Sequence, residues 1–214
     1  MTGEFAPSRQ NQGATDTGAG PWHLARGRAV HGFTLIELLA VLTIAAILAV
    51  IAVPSFMQSL ANARSTGAAN DLLAGFYNAR SHAIRLGRNV VVCRSVTAAA
   101  ASPTCSAAAA GAFAANDWAA GWVIFVDDDA DGTIDAAEVI VAAQQAVSDT
   151  ASRVVLRSGA AAVTFTAEGL RAAAEGASTI NVEYTAIGSG AVSARRCVRI
   201  AATGVPAVSP GACS

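Results

Sequence analysis

The chain has 214 residues, which suffices for one modest domain with an attached segment and is too short for two large domains. Hydrophobic residues make up 53% of it and charged residues 14%, and the net charge is −1. This composition argues against a polybasic nucleic-acid binder and against an acidic disordered chain.

The first two segments of the chain differ sharply in hydropathy. Residues 1–32 are rich in small and polar residues without a hydrophobic period, so we expect them to be disordered. In residues 33–55, the only polar positions between Leu35 and Val53 are Glu37 and Thr43. As a helix, the segment from Phe33 to Pro54 is about 32 Å long at ~1.5 Å per residue, which matches a hydrocarbon core of ~30 Å. We therefore predict a transmembrane helix.

The charges around this run indicate its orientation. Arg26 and Arg28 precede it, and the next basic residue is Arg64. The positive-inside rule therefore places the N-terminus in the cytoplasm and the rest of the chain beyond the membrane. A cleaved signal peptide is the alternative, but the run exceeds the usual ~7–15 apolar residues and no small-x-small cleavage site follows it.

The boundary between the two segments reads Gly32-Phe-Thr-Leu-Ile-Glu37, with one carboxylate near the start of an apolar helix. This pattern resembles the N-terminus of type IV pilins and of type II secretion pseudopilins. The resemblance implies that a prepilin peptidase cuts between Gly32 and Phe33, removes the leader and methylates the amine of Phe33. It also implies that Glu37, whose charge costs roughly 3 kcal/mol in hydrocarbon, pairs with that amine on a neighbouring subunit during assembly. Simple snorkelling of Glu37 to the interface is the alternative.

Residues 56–87 continue as an amphipathic helix, because apolar side chains recur at helical spacing opposite a polar face. Gly87 fits a C-cap that ends this helix. We predict one long helix, with a membrane half and an amphipathic half that packs under a globular head. The predicted apolar face contains Phe56, Leu60, Ala63, Leu72 or Leu73, Phe76, Ala79, Ala83 and Leu86.

The remaining residues, 88–214, are predicted to form a β-rich head. Turn signals separate short runs of β-branched and aromatic residues, and no crossover helix lies between them, so we expect antiparallel sheets. The fold class is therefore α+β, with a long N-terminal helix packed on an antiparallel β-sheet head. The predicted strands are Asn89–Cys93, Gly121–Val126, Glu138–Val141, Arg153–Leu156, Val163–Thr166, Thr179–Tyr184 and Cys197–Ile200.

A second motif lies in the head, where Asn-Asp-Trp-Ala-Ala-Gly-Trp-Val-Ile-Phe-Val-Asp occupies positions 116–127 after a cysteine-bearing strand. It is similar to the GspH/FimT branch of the pseudopilins. With the N-terminal motif, the resemblance spans most of the chain from Gly32 to Cys213 and implies a type IV pilin-like fold. Trp118 and Trp122 are interpreted as buried core or sheet-edge aromatics, with ligand stacking as the alternative.

Four cysteines, Cys93, Cys105, Cys197 and Cys213, all lie beyond the predicted membrane helix, where an oxidising compartment favours disulfides. Three pairings are possible. We favour Cys93 with Cys105 and Cys197 with Cys213, because each bond would join a loop to the strand before it. A zinc site is the alternative, although no paired C-x-x-C spacing exists.

An acidic segment at positions 127–138 reads Asp-Asp-Asp-Ala-Asp-Gly-Thr-Ile-Asp-Ala-Ala-Glu and matches the calcium loop of EF-hands. Its flanks are predicted strands, whereas an EF-hand needs a helix on each side. A hairpin turn is therefore the competing interpretation, while the clustered like charges favour a cation. Calcium is thus a possible ligand, and no cofactor is required. The matching ligand positions are Asp127, Asp129, Asp131, Asp135 and Glu138.

The resemblance implies a minor pseudopilin or pilin, a structural subunit assembled near the tip of a type II secretion pseudopilus or a type IV pilus. Such a subunit supports protein secretion or pilus biogenesis. Its expected partners are other minor and major pilins or pseudopilins, the prepilin peptidase and an inner-membrane assembly platform. Its expected location is the inner membrane, single-pass, with a cytoplasmic N-terminus and a periplasmic head, and then the filament tip.

DNA binding for DNA uptake is the alternative function, because some FimT-like minor pilins bind DNA through a C-terminal Gly-Arg-x-Arg motif. The corresponding place here is Gly204-Val-Pro-Ala207, which lacks both arginines, so DNA is not an expected partner. Strand alternation puts the nearby Arg195 and Arg199 on one face and Arg196 on the other. No nucleophile–base pair or phosphate loop is recognisable, so we expect no enzyme.

Overall fold

The computed structural model describes residues 32–147, 153–173, 179–185 and 192–214. The predicted leader, up to residue 31, lies outside the described residues. The chain divides into two units, with the boundary between Ile44 and Ala45.

A single helix, α1 (Leu35–Leu86), covers both predicted helical segments. The Thr34 hydroxyl accepts a hydrogen bond from the Glu37 backbone N–H at 3.2 Å, which satisfies one of the free amides of the first turn. At the other end the Gly87 N–H donates to the Ala83 carbonyl at 2.9 Å, and Gly87 has a φ of +63°. This left-handed conformation ends the helix as the sequence predicts, because glycine adopts it without steric cost.

The buried face of α1 differs in part from the predicted apolar face. Leu72, Phe76, Ala79 and Ala83 are buried as predicted. The prediction was wrong for Phe56, Ala63 and Leu86, which are exposed. The buried residues further toward the N-terminus are Ala61, Ser65, Ala68 and Ala69. These small residues continue toward the N-terminus the spacing of three and four that links Leu72 to Ala83, so the predicted face is out of phase with the buried one before Leu72.

Within the described residues the head consists of two four-stranded antiparallel sheets. A short 3-10 helix, Trp118–Ala120, leads into the second strand. The first sheet contains β1 (Asn89–Arg94), β2 (Gly121–Asp127), β3 (Ile140–Gln145) and β5 (Ala162–Phe165), in the order β3-β2-β1-β5. The second contains β4 (Arg153–Ser158), β6 (Thr179–Thr185), β7 (Val192–Ile200) and β8 (Pro206–Pro210), in the order β4-β6-β7-β8.

Three strands depart most from the prediction, and one of them, β7, begins at Val192 and not at Cys197. Strand β3 begins at Ile140 and not at Glu138, because the Glu138 carboxylate accepts hydrogen bonds from the preceding loop. Strand β8 was not predicted, since Pro206 and Pro210 lack the N–H that a central strand donates. It lies at the edge of its sheet, where a strand forms backbone hydrogen bonds with a neighbour on one side only, so the missing N–H groups are tolerated.

One hydrophobic core joins α1 to both sheets. Phe76 lies at its centre, with its ring centroid 5.9 Å from that of Trp118 and 6.3 Å from that of Phe165. Trp118 and Trp122 are both buried, as predicted, and the Trp118 indole N–H donates to the Ala160 carbonyl at 3.0 Å. The two tryptophans therefore contribute to packing.

Two disulfides lie in the head. Cys93 is bonded to Cys105, and Cys197 to Cys213, with Cα–Cα distances of 5.5 and 4.9 Å. This is the pairing that the sequence analysis favours. Each bond joins a strand to a segment 12 or 16 residues further along the chain, and a closed loop of this size contributes about 3 kcal/mol.

Candidate functional site

The acidic segment forms the connection between β2 and β3. Asp127 is the last residue of β2 and is only 4% exposed, whereas Asp129 and Asp131 are exposed. One carboxylate oxygen from each of the three lies within 4.8 Å of the other two. Of the five predicted ligand positions, the structure therefore brings these three together.

Backbone amides of the same loop orient the three carboxylates. The Gly132 N–H donates to Asp127 Oδ2 at 3.2 Å, the Asp131 N–H to Asp129 Oδ1 at 3.2 Å, and the Thr133 N–H to Asp131 Oδ1 at 2.7 Å. Ala130 and Gly132 have φ values of +63° and +74°. These left-handed residues and the three hydrogen bonds bring the carboxylates of alternate residues close together.

The two remaining predicted positions lie outside this group. Glu138 accepts hydrogen bonds from the backbone N–H groups of Asp128 and Asp135, each at 3.0 Å. These bonds close the base of the loop. Both flanks are strands, as predicted, so the segment is not an EF-hand.

The electrostatics of the loop follow from crowding of like charges and from burial. Burial raises the pKa of Asp127, the backbone N–H groups of Gly132 and Ala130 oppose this shift, and the charges of Glu138 and Asp129 add to it. The charge of Asp131 raises the pKa of Asp135. Asp131 has its pKa lowered by the backbone and hydroxyl hydrogen bonds from Thr133.

A second polar cluster lies inside the head, and the sequence analysis missed it. Arg94, at the end of β1, is fully buried and donates to the carbonyls of Asp117, Ser106 and Ala114 at 2.8, 2.6 and 3.4 Å. Desolvation lowers the pKa of Arg94, and the nearby Asp117 carboxylate opposes this shift. The sequence did contain a signal for this buried cluster, namely an arginine at the end of an otherwise apolar strand.

Asp117 connects this cluster to the second sheet. Its Oδ1 accepts hydrogen bonds from the backbone N–H groups of Ala119 and Leu156, at 3.1 and 2.9 Å. The first contact caps the 3-10 helix, and the second reaches β4. The Asn-Asp-Trp motif therefore has a structural role, in which Asp117 joins the two sheets and Trp118 packs between them.

The apolar segment of α1 leaves its side chains uncovered. Every large apolar side chain from Leu35 to Val53 is between 49% and 76% exposed. Within the described residues α1 is the one helix that is long and apolar enough to cross a membrane. Glu37 is the one acidic residue of the first turn.

Two family models match the sequence. The prokaryotic N-terminal methylation motif matches residues 27–53, and the type II transport protein GspH matches residues 68–204. The chain belongs to the GspH family. This is a family of pilin-like proteins, as the resemblance predicts, and the methylation motif of this GspH-family chain fits a membrane-anchored pilin.

Two solved structures are similar to this GspH-family chain. Both are crystal forms of the type IV minor pilin FimU from Pseudomonas aeruginosa strain PAO1, and each is 18% identical in sequence. The TM-scores are 0.45 and 0.44, and the matches cover 68% of this chain and 87% and 92% of the FimU chains. No curated protein sequence matches the chain significantly.

The C-terminal arginines of this GspH-family chain are divided between the faces of β7. Arg196 lies toward α1, where its Nε donates to the Thr66 hydroxyl at 3.2 Å. Arg195 and Arg199 are exposed on the other face. The Arg195 Nε lies 3.4 Å from Glu183 Oε1, so one of the two exposed guanidinium groups is already paired.

Gly204 lies in the turn between β7 and β8, at the place of the Gly-Arg-x-Arg motif. Its φ is +73°, and a Cβ there would collide with the backbone carbonyl of Gly169. A glycine is therefore required at this position for the close approach of two backbone segments, independently of any DNA contact.

Proposed function

We propose that this chain is a minor pseudopilin or pilin, anchored in the inner membrane by residues 33–55 and assembled near the tip of a periplasmic filament. The observation that carries the proposal is the exposed apolar surface from Leu35 to Val53. An apolar surface of this length, interrupted only by Glu37 and Thr43, marks a membrane or protein contact, because exposing it to water is unfavourable in a free monomer. In a filament subunit, lipid covers this surface first and neighbouring helices cover it later.

The processing step follows from the residues at the start of α1. Gly32, Phe33 and Thr34 precede the helix, so the Gly32–Phe33 peptide bond lies in non-helical chain. Phe33 is 83% exposed. Both features support cleavage by a prepilin peptidase, since a protease needs an extended and accessible bond. Cleavage would leave an amine four residues before Glu37.

Glu37 is the proposed assembly determinant. An ionised carboxylate in hydrocarbon costs roughly 3 kcal/mol unless it is paired. The amine of Phe33 on a neighbouring subunit would supply that pair, so the charge would favour docking into the filament over residence in lipid.

We expect the mature protein to begin with N-methylated Phe33. Mass spectrometry of the membrane-extracted protein should find the methylated peptide that starts at Phe33. In a strain without prepilin peptidase, peptides that span Gly32 and Phe33 should replace it. Assembled protein with Gly32 still attached to Phe33 would refute the proposal.

Replacement of Glu37 by alanine should leave cleavage intact and reduce incorporation into filaments about 100-fold, as expected for loss of roughly 3 kcal/mol. Sheared filaments are quantified by immunoblot against the membrane pool. Thr43→Ala is the matched control, because Thr43 is the other polar residue of the segment and its hydroxyl donates only to the Ala40 carbonyl of its own helix.

Assays of protein secretion, pilus-dependent motility and DNA uptake in the Glu37→Ala strain would show which filament system this chain serves. Loss of secretion alone indicates the type II pseudopilus, and loss of motility indicates the type IV pilus. If the Glu37→Ala variant is incorporated normally, Glu37 is not needed for assembly.

The alternative, a DNA-binding minor pilin for DNA uptake, has weaker support. Arg195 is paired with Glu183, and Arg199 donates to the Ser214 carbonyl at 3.3 Å. A phosphate would have to displace both contacts. A DNA gel shift that weakens with salt and disappears when Arg195 and Arg199 are replaced would favour this function instead.

A further inference from the structure

We propose that the connection between β2 and β3 is a calcium site, in which Asp127, Asp129 and Asp131 provide carboxylate ligands. The proposal goes beyond the filament function and does not depend on it. It rests on a buried oxygen without a partner, on the convergence of three carboxylates, and on the chemistry of the ligand positions that follow along the loop.

The buried oxygen belongs to Asp127. This residue is 4% exposed, and its Oδ2 accepts the hydrogen bond from Gly132. Its Oδ1 is also buried and has no hydrogen-bond partner within the described part of the chain. Buried polar atoms are almost always satisfied, and an unsatisfied carboxylate oxygen carries a large desolvation penalty. A cation bound to Oδ1 would remove that penalty.

The neighbouring carboxylates lie at a distance that fits one shared cation. Oxygen ligands of calcium are about 2.3–2.6 Å from the ion, so two ligands on opposite sides are about 4.6–5.2 Å apart. The oxygens of Asp127, Asp129 and Asp131 all lie within 4.8 Å of one another. These separations are compatible with shared coordination of one ion.

The remaining ligand positions follow from the order of residues along the loop. In calcium loops of this spacing, a backbone carbonyl follows the third carboxylate, and two further side chains complete the shell. Here those positions are Thr133, Asp135 and Glu138. Glu138 is held at the base of the loop by the amides of Asp128 and Asp135. All of these donors are oxygen atoms, which selects calcium or magnesium over zinc.

A neighbouring arginine does not already supply the positive charge. Arg88 contacts Asp128 through Nη1 at 2.7 Å, and Asp128 is not one of the three clustered residues. The ion would thus bind beside an existing ion pair. Because the flanks are strands, we expect calcium to stiffen the β2–β3 hairpin instead of opening a helix pair.

The test is isothermal titration of the full-length protein in detergent, after treatment with EDTA, using CaCl₂ alone and MgCl₂ alone. We expect one calcium ion to bind with a Kd on the order of 10⁻⁴–10⁻³ M, as in extracellular calcium modules. Magnesium should bind at least tenfold more weakly. Calcium at ten times Kd should also raise the Tm by roughly 3–5 °C.

Three substitutions of equal charge change locate the site. Asp127→Asn and Asp129→Asn should each weaken calcium binding at least tenfold. The exposed Asp129 keeps the test valid if Asp127→Asn fails to fold. Asp128→Asn is the matched control, since it removes one charge from the same loop outside the cluster, and it should change Kd by less than about threefold.

Three outcomes would overturn the proposal. The first is no heat of binding and no Tm shift at millimolar calcium. The second is an equal response to magnesium and calcium, which indicates screening of acidic charge without a site. The third is equal weakening by Asp128→Asn and Asp129→Asn, which indicates that only the net charge of the loop matters.

Discussion

Replacing Arg94 with methionine is expected to lower the free energy of unfolding by about 3–5 kcal/mol. The guanidinium group is fully buried and donates to the carbonyls of Asp117, Ser106 and Ala114. Methionine fills much of the volume but donates nothing, so these carbonyls lose their partner. The buried carboxylate of Asp117 also loses the nearby positive charge.

Chemical denaturation of the mature protein in detergent measures this effect for Arg94→Met. Arg157→Met is the matched control, because the Arg157 side chain is 59% exposed and its contact with Glu183 is a surface ion pair at 3.6 Å. Such pairs contribute about 0–1 kcal/mol. Similar losses for the two variants would show that Arg94 is not the polar centre of the head.

Replacing Phe76 with alanine is expected to lower the free energy of unfolding by about 3–5 kcal/mol, as is typical when a buried aromatic ring is removed from a core. The Phe76 ring is fully buried on α1 and makes an edge contact with Trp118. Its removal leaves a cavity where the helix meets both sheets. Near-ultraviolet circular dichroism should report the loosened tryptophan packing, alongside denaturation curves.

The same substitution at Phe56 provides the control on the same helix. Phe56 is 68% exposed, so Phe56→Ala should change the unfolding free energy by less than about 0.5 kcal/mol. Equal effects at the two positions would contradict the observed burial and would instead support the predicted apolar face that included Phe56.

Local patterns were sufficient for several features of this chain. The apolar run and the residues around Gly32, Phe33 and Glu37 predicted the pilin-like family and a helix that fits a membrane anchor, because both signals consist of consecutive residues. Gly87 marked the end of α1, since a left-handed residue after a helix favours glycine. Alternation of β-branched residues located most of the strands.

Other features depended on residues that are distant in the sequence. The phase of the buried stripe on α1 was misjudged because Ala61, Ser65, Ala68 and Ala69 have weak hydropathy, and only contact with the sheets selects them. Strand β8 was missed because its prolines are tolerated only at a sheet edge, and the position of an edge depends on the whole sheet.

The sequence by itself therefore determined the long apolar helix, the pilin-like family and the composition of the acidic loop. Only the tertiary structure decided that Arg94 satisfies three carbonyls and that Asp127 leaves a buried oxygen beside two other carboxylates. The physical reason is that hydropathy and turn preferences act between near neighbours, whereas burial and the satisfaction of polar atoms arise when separate strands and loops meet.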